Sequence, residues 1–109
     1  MRMLTSGHRL VALVAAAACV AIGATACGDG GNSAGEEVYQ ANCATCHGAD
    51  GGGGAGPKLS EGRVVERYPE VADQERVVRE GVEGTAMQAW EGTLTDEEIS
   101  AVVEYERSL

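Results

Sequence analysis

Cys43, Cys46 and His47 stand in a Cys-x-x-Cys-His run. On a helix, two thiols three positions apart project from neighbouring turns on the same side. Each can add its S–H across a vinyl group to form a thioether, and the adjacent imidazole can then reach an iron from one face of the macrocycle. That spacing is the attachment signature of c-type haem, so one covalent haem c is the expected cofactor. An iron that shuttles electrons needs a second axial ligand. Beyond residue 26 the sequence holds no histidine except His47 and no methionine except Met87. A lone methionine ordinarily fills a gap in a core. Met87, however, lies in a stretch of small and polar residues (81–92) between two helical segments, which favours ligation. Met/His ligation would raise the reduction potential. The expected metal ligands are therefore His47 and Met87.

Other chemistries fit the same residues less well. A thiol oxidoreductase built on Cys-x-x-Cys needs a βαβ pattern, and no run of alternating β-branched and aromatic residues is present. A zinc site would need more ligands than Cys43, Cys46 and His47 find nearby. Gly51, Gly53 and Gly56 satisfy Gly-x-Gly-x-x-Gly, but any glycine tract does so, and no strand precedes this one.

The N-terminus reads as an address. Residues 1–10 carry Arg2 and Arg9 and no acid, residues 11–26 are apolar, and small residues precede Cys27. That is the layout of a secretory signal, and an apolar run this short is a weak membrane span. A small-residue triplet ending on cysteine, followed by a Gly/Asp/Asn/Ser stretch, resembles a bacterial lipoprotein signal. The expected organisation is a signal at 1–26, a lipidated Cys27 with a flexible linker at 27–34, and a domain at 35–109. Simple secretion and an uncleaved membrane helix are the alternatives. Cys19 belongs with the signal, so no cysteine is left for a structural disulfide.

The full chain carries a net charge of −9. Loss of residues 1–26 would remove two arginines and no acid, leaving six cations against seventeen carboxylates, a net of −11. Nucleic acid is excluded as a partner, since its phosphates require a basic footprint. A redox partner protein with a basic docking patch fits this balance, as does an acidity that serves solubility alone. The domain is small, has four aromatic residues and lacks phenylalanine. A chain of this size needs a staple, and a covalent haem would supply one. A monomer is expected.

The elements that must position these residues are helices. A first helix is expected over 36–44, with acids in its first turn and with Val38, Tyr39, Asn42 and Cys43 on one face. A short helix follows at 60–68, stopped before Pro69. Another spans 70–80, with Val71, Val77 and Val78 inward and Gly81 ending it. The last opens with a capping box, Thr95 and Glu98, with Leu94 able to staple onto Ile99. In it Ile99, Val102, Val103 and Glu106 repeat at helical spacing, with Tyr105 beside them. The fold class is all-α.

From Gly35 onward the chain resembles the small bacterial monohaem class I cytochromes c. The likeness rests on Gly35-x-x-x-Tyr39, Cys43-x-x-Cys46-His47-Gly48, Gly56-Pro57-x-Leu59, Val78-x-x-Gly81, the Met87 loop closed by Trp90, and Val102-Val103-x-Tyr105. It implies a cytochrome c fold of three to four helices around one haem. It implies that the Pro57 carbonyl accepts a hydrogen bond from the proximal imidazole and that Leu59 packs on the haem face. It also implies that Trp90 lies near a propionate and that the first and last helices cross, Gly35 and Tyr39 meeting Tyr105. Gln88 departs from the proline that commonly follows the ligand methionine, and the glycine tract at 51–56 is loose by composition. The function implied is an extracytoplasmic, lipid-anchored single-electron carrier, not catalytic on its own. A haem subunit of a larger respiratory dehydrogenase or oxidase is the alternative, or a haem sensor or peroxidase if Met87 does not ligate.

Overall fold

The structure, a computed structural model, describes residues 30–109. The expected signal, Cys19 and the Cys27 lipidation site lie outside the described residues. Five helices follow one another: α1 (Gly30–Asn42), α2 (Ala44–His47), α3 (Arg63–Arg67), α4 (Val71–Glu80) and α5 (Asp96–Arg107). No sheet forms among the described residues; one isolated bridge joins Glu91 and Leu94. The all-α expectation holds.

The first and last helices make the most extensive contact in the fold. Their crossing is close because Gly35 has no side chain: a Cβ there would lie 2.8 Å from Tyr105 Cβ and overlap the Ala101 carbonyl. One turn on, the Tyr39 and Tyr105 rings meet with centroids 5.3 Å apart and planes tilted by 53°, within the ~4.5–7 Å separation at which aromatic pairs attract. Tyr39, Ile99, Val102 and Val103 are the largest fully buried side chains. Cys43, Val78 and Tyr105 join them, with Leu59, Trp90 and Leu94 packed against the cluster.

α5 begins where the sequence places it. Thr95 Oγ1 accepts from the Glu98 N–H at 3.1 Å, and the Thr95 N–H donates to Glu98 Oε2 at 2.8 Å. Asp96, Glu97 and Glu98 fill its first turn, where the helix dipole favours acids. α4 runs against α5 in the opposite sense: Arg79 pairs with Asp96, Ser100 donates to Glu75, and Gln74 donates to Glu106.

Three expectations are corrected. α1 starts at Gly30, so residues 30–34, read as linker, are helical. Glu36 and Glu37 consequently fall in its second turn rather than its first. α3 is only five residues long, because Glu61 and Gly62 are left-handed, with φ of 59° and 74°, and that conformation cannot continue a right-handed helix. Val71 is 44% exposed rather than inward. The buried position in this turn of α4 belongs instead to Gln74, which is held inward between Glu106 and Arg107 of α5.

Candidate haem-binding site

Cys43 closes the turn between α1 and α2, where it accepts from the His47 N–H at 3.0 Å. It is buried, whereas Cys46 is exposed, and both thiols are free. Burial, with the Glu106 carboxylate and Cys46 nearby, pushes the Cys43 thiol up to about 12. A four-residue helix leaves its last carbonyls without intrahelical partners. The glycine tract supplies them. The Gly53 N–H donates to His47 O and the Gly56 N–H to Cys46 O, each at 2.7 Å. Leu59 and Ser60 then donate back to Gly51 O at 2.8 and 3.1 Å. The loop that composition alone marks as loose is thus folded onto the end of α2.

That wrapping seats the imidazole. His47 is buried, and its Nδ1 lies 2.8 Å from the Pro57 carbonyl oxygen. A carbonyl only accepts, so Nδ1 carries the proton and Nε2 keeps its lone pair for a metal. A Cβ on Gly56 would stand 2.8 Å from His47 Cε1, so the ring lies directly on the loop backbone. Tyr39 on α1 reaches the same turn, its hydroxyl donating to Gly48 O at 2.7 Å. Burial and nearby carboxylates raise that phenol to about 12.

The Met87 loop is held by its own backbone. The Val82 N–H donates to Met87 O at 3.0 Å, Thr85 Oγ1 donates to Val82 O at 2.7 Å, and the Met87 N–H donates to Thr85 Oγ1 at 3.2 Å. Gly81, at φ 69°, lets this loop lie against the end of α4: a Cβ there would come within 2.6 Å of Met87 O. The Trp90 N–H donates to Val78 O at 3.1 Å, which fastens the far end of the loop to the same helix.

Cys43, Cys46, His47, Pro57, Leu59, Met87 and Trp90 all line one cleft of about 740 Å³. That volume lies within the ~300–1,000 Å³ of small-molecule and cofactor sites. Its wall is mostly apolar, with two thiols at one edge and one imidazole and one thioether as candidate iron donors. No cluster of three or more His, Cys, Asp or Glu forms a metal cage among the described residues. Single donors are what a metal carried inside its own macrocycle requires, so the residues present fit haem. Two further groups in this cleft do not follow from the Cys-x-x-Cys-His pattern. Lys58, Arg63 and Arg67 stand at one edge, and Gln74 and Glu106 at the floor. The signal for Glu106 lay in the helical stripe itself, where an acid follows Ile99, Val102 and Val103.

Fold and cleft together define a c-type cytochrome domain. Residues 31–105 match the family described as cytochrome c oxidase, cbb3-type, subunit III, and the chain belongs to that family. It is also similar to dihydro-heme d1 dehydrogenase of Pseudomonas aeruginosa, with 35% identity over 75 residues, 69% of this chain and 15% of that enzyme. A solved structure of dihydro-heme d1 dehydrogenase NirN in complex with DHE superposes with a TM-score of 0.63 at 34% identity. It covers 68% of this chain and 16% of that one. The chain therefore spans under a fifth of the length of these relatives. Its cofactor is haem c, its chemistry is electron transfer, and its fold is that of an all-α cytochrome c.

Proposed function

We propose that this chain is an extracytoplasmic single-electron carrier with His/Met ligation, tethered to the membrane through Cys27. Haem iron, when bound, supplies the chemistry by cycling between ferrous and ferric states. Cys43 and Cys46 would hold the group through thioethers. His47 would present Nε2 to the iron from one side and Met87 its thioether from the other, while Leu59 and Trp90 exclude water from the cleft. The observation that carries this reading is the 2.8 Å contact of His47 Nδ1 with Pro57 O. It fixes the ring's tautomer and orientation, as partners of metal-bound imidazoles do, within a cleft whose only methionine among the described residues is Met87. With both His47 and Met87 bound to it, the iron would have no position left for a substrate.

The visible spectrum tests it. The reduced protein should show c-type bands, and the oxidised protein the weak far-red band of a Met–iron bond. Met87→Ala should lose that band and gain rapid carbon monoxide binding. A wild-type protein without the band that binds carbon monoxide at once would shift the reading to a sensor or peroxidase. For the tether, Cys27→Ser should move the protein from membranes to the soluble extracytoplasmic fraction; continued membrane retention would count against lipidation. Family membership supports an extracytoplasmic site, and no helix among the described residues is long and apolar enough to cross a membrane.

A second reading is favoured by the relatives. A stretch of dihydro-heme d1 dehydrogenase as long as this domain matches it at 35% identity, so the same unit can serve as the electron-transfer part of a larger redox enzyme. Crosslinking the tethered protein in membranes separates the two. A stable stoichiometric complex indicates a subunit, whereas monomeric recovery indicates a free carrier.

A further inference from the structure

Glu106 is the one buried carboxylate among the described residues, 5% exposed on the inner face of α5. Its side chain lines the same cleft as Cys43, His47 and Met87. Its Oε2 accepts from Gln74 Nε2 at 2.9 Å, and Gln74 Oε1 accepts in turn from Arg107 Nη1 at 3.0 Å. Arg107 is itself held outward by the Tyr68 and Pro69 carbonyls at 2.7 and 2.9 Å. A neutral amide thus stands between the carboxyl and the guanidinium, and no ion pair to Glu106 forms among the described residues.

The titratable groups around it are few. From α1 it faces Tyr39 and, just beyond, Cys43. From α2 and the α3 side, His47, Arg63, Arg67 and Tyr68 share the cleft. α4 presents the Gln74 amide, and α5 itself carries Tyr105 and Arg107. Tyr39 stays neutral near pH 7, and a thioether at Cys43 does not titrate. Burial raises the Glu106 carboxyl to about 7 against the lowering by Gln74.

A lone carboxylate in an apolar cleft is costly. A second negative charge placed in that cleft raises the cost further, and reduction of a metal there adds one. Resting on the haem reading of the cleft, we propose that Glu106 couples proton uptake to electron uptake. When one electron enters from a one-electron donor, the carboxylate takes one proton from solvent and becomes the neutral acid. When the electron leaves to an acceptor, the proton returns to solvent. Charge and atoms balance in both directions. Gln74 is a positioning residue: its N–H favours the ionised form and so sets the pH range over which the coupling acts.

The test is the midpoint potential of the holoprotein, followed by spectroelectrochemistry from about pH 5 to about pH 9. In wild type the potential should fall as pH rises through neutrality. The slope is bounded by a tenfold change per pH unit, which is ~59 mV for one electron. Glu106→Gln should match wild type at low pH, lie above it at high pH, and keep only the shallow slope of the haem propionates. Reduction near neutral pH should raise the infrared band of a protonated carboxyl in wild type and not in Glu106→Gln. Gln74→Leu should shift the sloping region to higher pH, an outcome a merely structural role would not give, and it serves if the Glu106 variant loses haem. Equal slopes in wild type and Glu106→Gln, with the far-red band intact in both, overturn the coupling and leave the carrier reading standing. Absence of that band in wild type overturns Met87 ligation while the two slopes remain comparable.

Discussion

A methyl group at Gly56 would sit 2.8 Å from His47 Cε1 and 2.9 Å from Nδ1. The ring cannot move back without lengthening the bond to Pro57 O. Gly56→Ala should therefore tilt the imidazole, weaken the far-red band and lower haem incorporation, all read from the spectrum of purified protein. An unchanged spectrum would show that the loop gives way instead. Glu106 acts on stability through a different route. Its folded-state value of about 7 exceeds the ordinary 4.5 of an unfolded chain, so the folded form binds its proton more tightly. The stabilisation is full below about pH 4.5 and is lost as pH rises through about 7, an effect of about 3 kcal/mol at ~1.4 kcal/mol per unit. Denaturant unfolding of the holoprotein at a series of pH values should show wild type gaining on Glu106→Gln as pH falls across that window. A constant difference between the two would mean the carboxyl is solvated.

At the scale of elements, the crossing of α1 and α5 decides whether the cleft exists at all, because it places Cys43 beside the α5 stripe. Gly35→Ala should improve helix propensity by about 1 kcal/mol. The new Cβ, however, would meet the Ala101 backbone carbonyl and Tyr105 Cβ, and overpacking costs about 1–3 kcal/mol even where side chains alone must move. The clash wins here because backbone must shift, and a loss of several degrees in melting temperature is expected in calorimetry. These helices differ in how well their sequences announce them. α5 carries every local signal, namely a capping box, acids in the first turn and an apolar stripe, and it forms where they place it. α3 is shortened by left-handed backbone at Glu61, which residue type does not reveal. Gln74 is buried where Val71 is not because its amide pairs with Glu106 and Arg107 of α5, a tertiary fact. The haem motif was legible because covalent chemistry fixes its spacing, whereas the wrapping of the glycine tract around His47 is set by orphaned carbonyls that only the folded helix defines.

The whole molecule combines a net charge of −9 with an uneven distribution. Three of the six cations among the described residues, Lys58, Arg63 and Arg67, line one edge of the cleft, two of them in exposed pairs with Glu61 and Glu66. Another edge, the loop carrying Met87, presents exposed Glu83 and Glu91 with no lysine or arginine between Gly81 and Gly92. A partner with a basic patch should therefore approach from the Met87 side and be repelled at the Lys58 side. Steering of this kind changes association rates by about 10–10³-fold and weakens as salt shortens the screening length to about 10 Å at 0.1 M. Stopped-flow electron transfer to a basic redox protein should slow steadily as ionic strength rises. Glu83→Lys and Glu91→Lys should slow it further at low salt, while Arg63→Glu should speed it, and the three rates should converge on wild type at high salt. The two edges lie on one cleft, so opposite signs from the two substitutions would locate the docking face as well as its charge. A rate independent of salt, or reversals acting alike at both edges, would mean the acidity serves solubility rather than encounter.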